Sequence, residues 1–284
     1  MKLCRFNDDR FGFVESGLVY DVTEALFTLP SRRWAYPPGD PVIANFEGIT
    51  AAALAVLPRA RTLPLSAVRL LSPIANPSKI IGAPVNYRAH LDEANADTAI
   101  SQGTEVQPID RAGLFLKAGS ALIGPSQPIR LAFPDRRTDH EAEIAVVIGR
   151  TGHHIPRARA MDHVAGYCLA LDMTVRGSED RSFRKSCDSY AVLGPWLVTT
   201  DELPDPANLA FSLAVNGERR QAGHTSMLIR SIPELIAWAS RFYTLHPGDV
   251  IMTGTPEGVG PVSDGDVITV EGRGLGSMTI SVVG

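Results

Sequence analysis

From Leu114 to the C-terminus the chain is cut into short apolar, β-branched runs separated by glycines, prolines and polar turns. Runs of that kind, bounded by turn residues, read as strands. Helical periodicity is confined to a few stretches, at 51–57, 87–96, 156–163 and 232–242. A parallel doubly wound sheet needs a helix between successive strands, and this chain has too few. The expectation is an α+β fold with a mixed, rolled or barrel-like sheet. Near the N-terminus, Phe11-Gly12-Phe13-Val14 and Leu18-Val19-Tyr20-Asp21-Val22 flank Glu15-Ser16-Gly17, a hairpin pattern. The Pro-bearing stretch 73–77 reads as a boundary. It divides the chain into a small N-terminal domain, 1–70, and a larger domain, 71–284.

Bulk properties narrow the class of function. A net charge of −4 with 20% charged residues gives neither nucleic acid nor an anionic membrane a reason to bind. The three cysteines, Cys4, Cys168 and Cys187, are odd in number and lack metal-site spacing, which fits free thiols in a reducing cytoplasm. No secretory leader pattern opens the sequence, and no segment is long and apolar enough to span a bilayer. A cytoplasmic enzyme is the expectation.

The chemistry-bearing residues begin in Thr138-Asp139-His140-Glu141-Ala142-Glu143-Ile144-Ala145-Val146-Val147-Ile148-Gly149. Side chains alternate along a strand, so Glu141 and Glu143 share a face that continues as Ala145 and Val147. The two acids are thereby confined to one end. Asp172 follows a second apolar run, 164–171. Carboxylates so placed repel one another unless a cation lies between them. Three oxygen donors suit Mg²⁺ or Mn²⁺ rather than Zn²⁺. Taken alone, the segment also fits a half-exposed strand with its Glu side chains in water.

His90 and Glu93 are three apart in the helical stretch, hence on one face. A carboxylate beside an imidazole orients it and raises its basicity, as activation of a water requires; a solvated surface pair is the alternative. Lys185 is suited to holding a substrate oxygen or stabilising an enolate, or is a plain surface lysine. Arg176 and Glu179 follow Asp172 by four and seven residues and either face the same site or are surface charges. The stretch 248–260 runs from a strand into a glycine-rich loop. It lacks the Gly-Lys-Ser/Thr ending of a phosphate loop, and Pro261 stands where a helix would begin. Its glycines are expected to permit tight turns and close backbone approach. A dinucleotide fingerprint and a Gly-x-Ser-x-Gly elbow are both absent.

In order along the chain come Lys79-Ile80-Ile81-Gly82, Asn86-Tyr87, His90-x-x-Glu93, Phe115-Leu116-Lys117, Ile123-Gly124-Pro125 and the Glu141-x-Glu143 strand. Gly166-Tyr167, Asp172-Met173-Thr174-x-Arg176, Lys185-Ser186, Leu193-Gly194-Pro195-Trp196, Pro247-Gly248-Asp249 and Thr253-Gly254-Thr255-Pro256-x-Gly258-Val259-Gly260 follow. Over about residues 72–284 the sequence resembles the fumarylacetoacetate hydrolase family. The resemblance implies a mixed β-roll, a homodimer, and Mg²⁺ or Mn²⁺ held by Glu141, Glu143 and Asp172. It implies that Lys185 is the active-site lysine and that His90 with Glu93 forms a dyad on a lid. It places Arg176, Glu179 and Thr255 at substrate-binding positions. Three departures stand out: Gly177 in place of an Asp, Cys187 in place of a Phe, and Ala83-Pro84-Val85 where glycine-rich variants are usual. Glu179 stands where Gln is common, which adds a negative charge near an anionic substrate. The implied activity is hydrolysis of a carbon–carbon bond in a 2,4-dioxo acid (an acylpyruvate) during catabolism of aromatic compounds. His90 would activate the water, and Lys185 would stabilise the pyruvate enolate. A decarboxylase of oxaloacetate, an isomerase of a 2-hydroxymuconate-type diacid, and a catalytically inactive metal-binding protein are the alternatives.

Overall fold

The computed structural model describes residues 1–31 and 33–284. Its centre is the strand Ala142–Ile148, buried along its whole length. It pairs antiparallel with Val164–Asp172, Glu143 opposite Ala170, and on its other edge with Val250–Met252. Ile144, Val146 and Ile148 enter one core, while Ala145 and Val147 enter a second on the opposite face. A strand covered on both faces has no solvent side to keep polar, which is why its apolar run is nearly unbroken.

Val164–Asp172 pairs with Ala191–Thr199, and Ala191–Thr199 with Lys2–Phe6. The expected hairpin forms between Arg10–Glu15 and Leu18–Asp21. Ser16 and Gly17 turn it with φ of +48° and +77°, as a two-residue hairpin loop requires. The N-terminal strands therefore extend the sheet that carries the central strand. On the far side Val250–Met252 runs parallel to Ile80–Gly82, so the twelve-stranded sheet is mixed. A five-stranded sheet includes Ala210–Val215, Glu218–His224, Val267–Gly272 and Gly276–Val283, and a three-stranded one joins Thr138–His140 to Thr174–Val175 and Gly260–Pro261. The fold is α+β with mixed sheets, and among the described residues no sheet closes into a barrel.

Helices are few. Phe46–Val56 covers the N-terminal strands, Arg88–Ala96 lies where periodicity puts it, and Ile232–Ala239 starts in a Ser231–Glu234 capping box. The stretch expected as a helix at 156–163 is a 3₁₀ segment, Arg157–His163. The polar stretch 97–110 contains one single turn, Thr98–Ser101, capped by Asp97, and a second, Ile109–Ala112, begins at its end. Among the described residues no helix is long and apolar enough to cross a membrane.

Candidate active site

Glu143 lies on the central strand, Glu141 in the junction just before it, and Asp172 at the end of the neighbouring strand. The Asp172 N–H donates to the Glu141 carbonyl at 2.9 Å, and this register brings the third carboxylate to the other two. Glu141, Glu143 and Asp172, all buried, each present an oxygen within 4.8 Å of the others'.

Three cations lie against this cluster. Lys185 Nζ donates to Glu141 Oε2 at 2.7 Å, Asp172 Oδ2 at 2.7 Å and Thr174 Oγ1 at 2.6 Å. Arg176 donates to Glu141 Oε1 at 2.9 Å and to Asp139 Oδ2 at 2.7 Å. Lys117, fully buried, pairs with Asp172. Burial alone would raise the Glu141 pKa, but Lys185 and Arg176 hold it far below the usual carboxylate range. Glu143 goes the other way. Burial, followed by the charge of Asp172, pushes its pKa well up. Its bond is to a backbone group, the Gly254 N–H at 2.6 Å, and no cationic side chain among the described residues pairs with it. Beside it the buried Tyr87 hydroxyl has no hydrogen-bond partner, and burial with the Glu143 charge pushes that phenol up. An all-carboxylate donor set with one member short of positive charge fits a hard divalent cation.

The glycine-rich loop serves these acids rather than a phosphate. Gly254 has φ of +101°, and a Cβ there would lie 2.7 Å from Asn86 Cβ, so its N–H reaches Glu143 only as glycine. Gly258, at φ +90°, donates its N–H to Glu93 Oε1 at 2.8 Å. The other Glu93 oxygen lies 3.1 Å from His90 Nδ1. A carboxylate accepts from Nδ1–H, so in the neutral imidazole Nε2 is the nitrogen with the free lone pair.

His90, Glu141, Arg176, Glu179 and Lys185 share the wall of one cavity of about 460 Å³, a volume suited to a small organic ligand. Glu143 and Asp172 are buried and off this wall. Thr255 is elsewhere. Its hydroxyl donates to the Ala142 carbonyl at 2.8 Å and accepts from Gln221 Nε2 at 2.8 Å, and the residue is off the cavity wall. Glu179 reaches the cavity with its charge answered, because Arg136 donates to both its oxygens at 2.8 and 2.7 Å. A Cβ at Gly177 would collide with both partners of that pair. The two departures at 177 and 179 are thus one structural feature: the missing side chain leaves room for the ion pair.

Lys117, Arg136, Asp139 and Gln221 are the residues that sequence reasoning did not assign to the site. A lysine closing the apolar run Phe115-Leu116-Lys117, and Asp139 two residues before Glu141, were the available signals. Gln221, which accepts from the Ala142 N–H at 3.0 Å, comes from a distant hairpin and carries no local signal.

The chain, a mixed α+β protein with a buried acid triad and a His–Glu pair beside one cavity, belongs to the fumarylacetoacetate hydrolase family. The model of that family described as "Fumarylacetoacetate (FAA) hydrolase C-terminal" matches residues 79–283. Among individual relatives, a maleylpyruvate hydrolase of Aquipseudomonas alcaligenes is 53% identical over 284 residues, covering 99% of each chain. The solved maleylpyruvate hydrolase of Sphingobium sp. SYK-6 in complex with manganese(II) and pyruvate superposes with a TM-score of 0.83 at 40% identity, covering 100% of this chain and 99% of that one. A mitochondrial oxaloacetate tautomerase of Xenopus laevis is 41% identical over 231 residues, 77% of this chain and 69% of that one.

Proposed function

We propose that this protein is a Mg²⁺- or Mn²⁺-dependent hydrolase that cleaves a carbon–carbon bond of an acylpyruvate-type 2,4-dioxo acid in the breakdown of aromatic compounds. The observation that carries this reading is the cluster of three buried carboxylates, one of which, Glu141, lines a cavity that also holds the His90 imidazole. The relative at 53% identity acts on maleylpyruvate by its name, and the manganese neighbour holds pyruvate, the fragment such a cleavage leaves.

Glu141, Glu143 and Asp172 would hold the ion. When bound, the ion supplies a Lewis acid and a template for the α-keto acid end of the substrate. The remaining work falls to the side chains. Glu93 fixes the His90 tautomer, so Nε2 can take a proton from a water as the oxygen adds to the 4-oxo carbon. The C3–C4 bond then breaks and its electron pair passes to the pyruvyl fragment as an enolate. The proton taken by His90 balances the one that C3 needs to become the pyruvate methyl. Lys185, a buried ammonium, and Arg176 offer positive charge where the enolate oxygen forms. Glu179 and Thr255 keep their reading as substrate-binding positions only through the family resemblance; for Thr255 that requires its hydroxyl to leave the Ala142 carbonyl.

Incubation of acetylpyruvate and maleylpyruvate with the protein and Mn²⁺, read by mass spectrometry, should yield pyruvate plus the matching acid. Activity should vanish with a chelator and return with Mn²⁺ or Mg²⁺. No pyruvate from either substrate sinks the reading. The tautomerase relative favours one alternative, proton transfer on the same site, which would rearrange the substrate with no change of mass. We also read the protein as a cytoplasmic homodimer with a small unit at 1–70. The free thiols of Cys4, Cys168 and Cys187 and the start of the family match at residue 79 support the compartment and the boundary. Light scattering should give twice the chain mass of 30.5 kDa.

A further inference from the structure

Two cations on the cavity wall, Arg181 and Arg184, are not used by the chemistry above. Arg184 precedes Lys185 in the short helix Arg181–Lys185. Lys185 turns inward to Glu141 and Asp172, whereas Arg184 is half-buried and lines the cavity. Its guanidinium is held by main-chain oxygens, Nε donating to the Glu179 carbonyl at 2.8 Å and Nη1 to that of Val175 at 3.4 Å. Among the described residues it forms no ion pair with a carboxylate, and neither does Arg181 on the same wall.

The charges around the cavity do not cancel. Glu141 is answered by Arg176 and Lys185, and Glu179 by Arg136. That leaves Arg181 and Arg184 against one exposed acid, Glu105. Burial and the neighbouring Arg176 and Arg181 guanidinium groups lower the Arg184 pKa, so an incoming anion would relieve a repulsion already present. A carboxylate matches the planar fork of an arginine, and a guanidinium already fixed by carbonyls loses little freedom on binding one.

We infer that Arg184 anchors a second carboxylate, at the end of the substrate remote from the α-keto acid, and makes this cavity selective for diacids over monoacids. The inference rests on the reading that the cavity takes acylpyruvates. An acylpyruvate with an alkyl end would leave the guanidinium facing no anion.

The test compares kcat/KM for maleylpyruvate, a diacid, with that for acetylpyruvate, a monoacid, on the Mn²⁺-loaded protein. In Arg184→Gln the diacid-to-monoacid ratio should fall by roughly 10- to 100-fold, as loss of a charged hydrogen bond implies, mainly through KM. Arg184→Lys keeps the charge without the fork and should fall between; it reads the same ratio should the Gln variant fail to fold. An unchanged ratio in both variants overturns the inference. Calorimetry with maleate and with acetate reads the anchor without turnover. Arg184→Gln should weaken maleate binding at least tenfold and leave acetate binding alike. Arg184-dependent maleate binding without hydrolysis would overturn the proposed function and keep the anchor. Hydrolysis with an unchanged ratio and equal maleate binding would do the reverse.

Discussion

Glu143 and Glu141 lie two positions apart yet are driven in opposite directions. Glu141 faces two cations, which hold its pKa far down; Glu143 faces Asp172 in a buried setting, which pushes its pKa well up. For Glu143 the unfolded chain ionises in the ordinary carboxylate range, whereas burial and Asp172 shift ionisation of the metal-free folded chain upward. Its contribution to stability therefore falls as pH rises from that range towards its raised value. Glu141 has the opposite sign: its contribution is present above the ordinary carboxylate pKa and is lost as pH falls towards its depressed value. Glu143→Gln should consequently raise the melting temperature of the metal-free protein at neutral pH, while Mn²⁺ no longer shifts it. A lower melting point would sink the reading of Glu143 as a destabilising buried acid. On the proposed mechanism His90→Gln should lower kcat by about 10²- to 10⁴-fold, with Mn²⁺ still raising the melting point. A variant retaining full activity would remove His90 from the chemistry. Glu141, Glu143 and Asp172 were legible because their residue type and strand position already suggested an ion site. Lys117 and Arg136 were not, because a single lysine or arginine gives no sign of its partner.

Two connecting segments position these residues, and each depends on unusual backbone. The loop after Val250–Met252 uses Gly254 to bring an N–H onto Glu143. Gly254→Ala at φ +101° should cost about 1–3 kcal/mol and weaken Mn²⁺ binding, checked by denaturant titration and calorimetry. Loss of stability with unchanged metal affinity would separate the loop from the ion site. Ahead of the Arg88–Ala96 helix, Val85 occupies the left-handed region at φ +51°, where a β-branched residue is strained. The position at the end of Ala83-Pro84-Val85 thus suits glycine, and here a valine occupies it. Asn86 holds the segment down, its Nδ2 donating to the Thr253 and Arg230 carbonyls at 2.8 and 3.0 Å. Val85→Gly should change stability by no more than about 1 kcal/mol, because relief of roughly 1–2 kcal/mol of left-handed strain offsets lost packing and added unfolded-state entropy. A loss of several kcal/mol in urea would show the strain to be unimportant. Neither loop conformation follows from composition, since φ at each position is set by what the chain packs against.

The proposed ion site would tie the centre of the molecule together, because Glu143 and Asp172 lie on adjacent strands of the large sheet and Glu141 in the junction just before the first. A cation that binds only the folded form adds about 2.7 kcal/mol at 100 times its Kd. At roughly 2–4 °C per kcal/mol for a chain of a few hundred residues, Mn²⁺ should raise the melting point by at least about 5 °C and a chelator should reverse it. No shift at millimolar Mn²⁺ would count against a preformed site. The same sheet takes in Lys2–Phe6 beside Ala191–Thr199, a pairing between residues almost two hundred positions apart that no local pattern announces.

Local patterns were enough for the α+β class, the hairpin, the Arg88–Ala96 helix with its His–Glu spacing, and the face shared by Glu141 and Glu143. Each follows from side-chain periodicity and turn chemistry, which act over a few residues. The meeting of Asp172 with the two glutamates, the Gly254 and Gly258 bonds, the Arg136–Glu179 pair and the unpaired Arg184 all depend on strand register and long-range packing. Those contacts arise only when distant segments exclude water together, and until then the charges involved are ordinary solvated side chains.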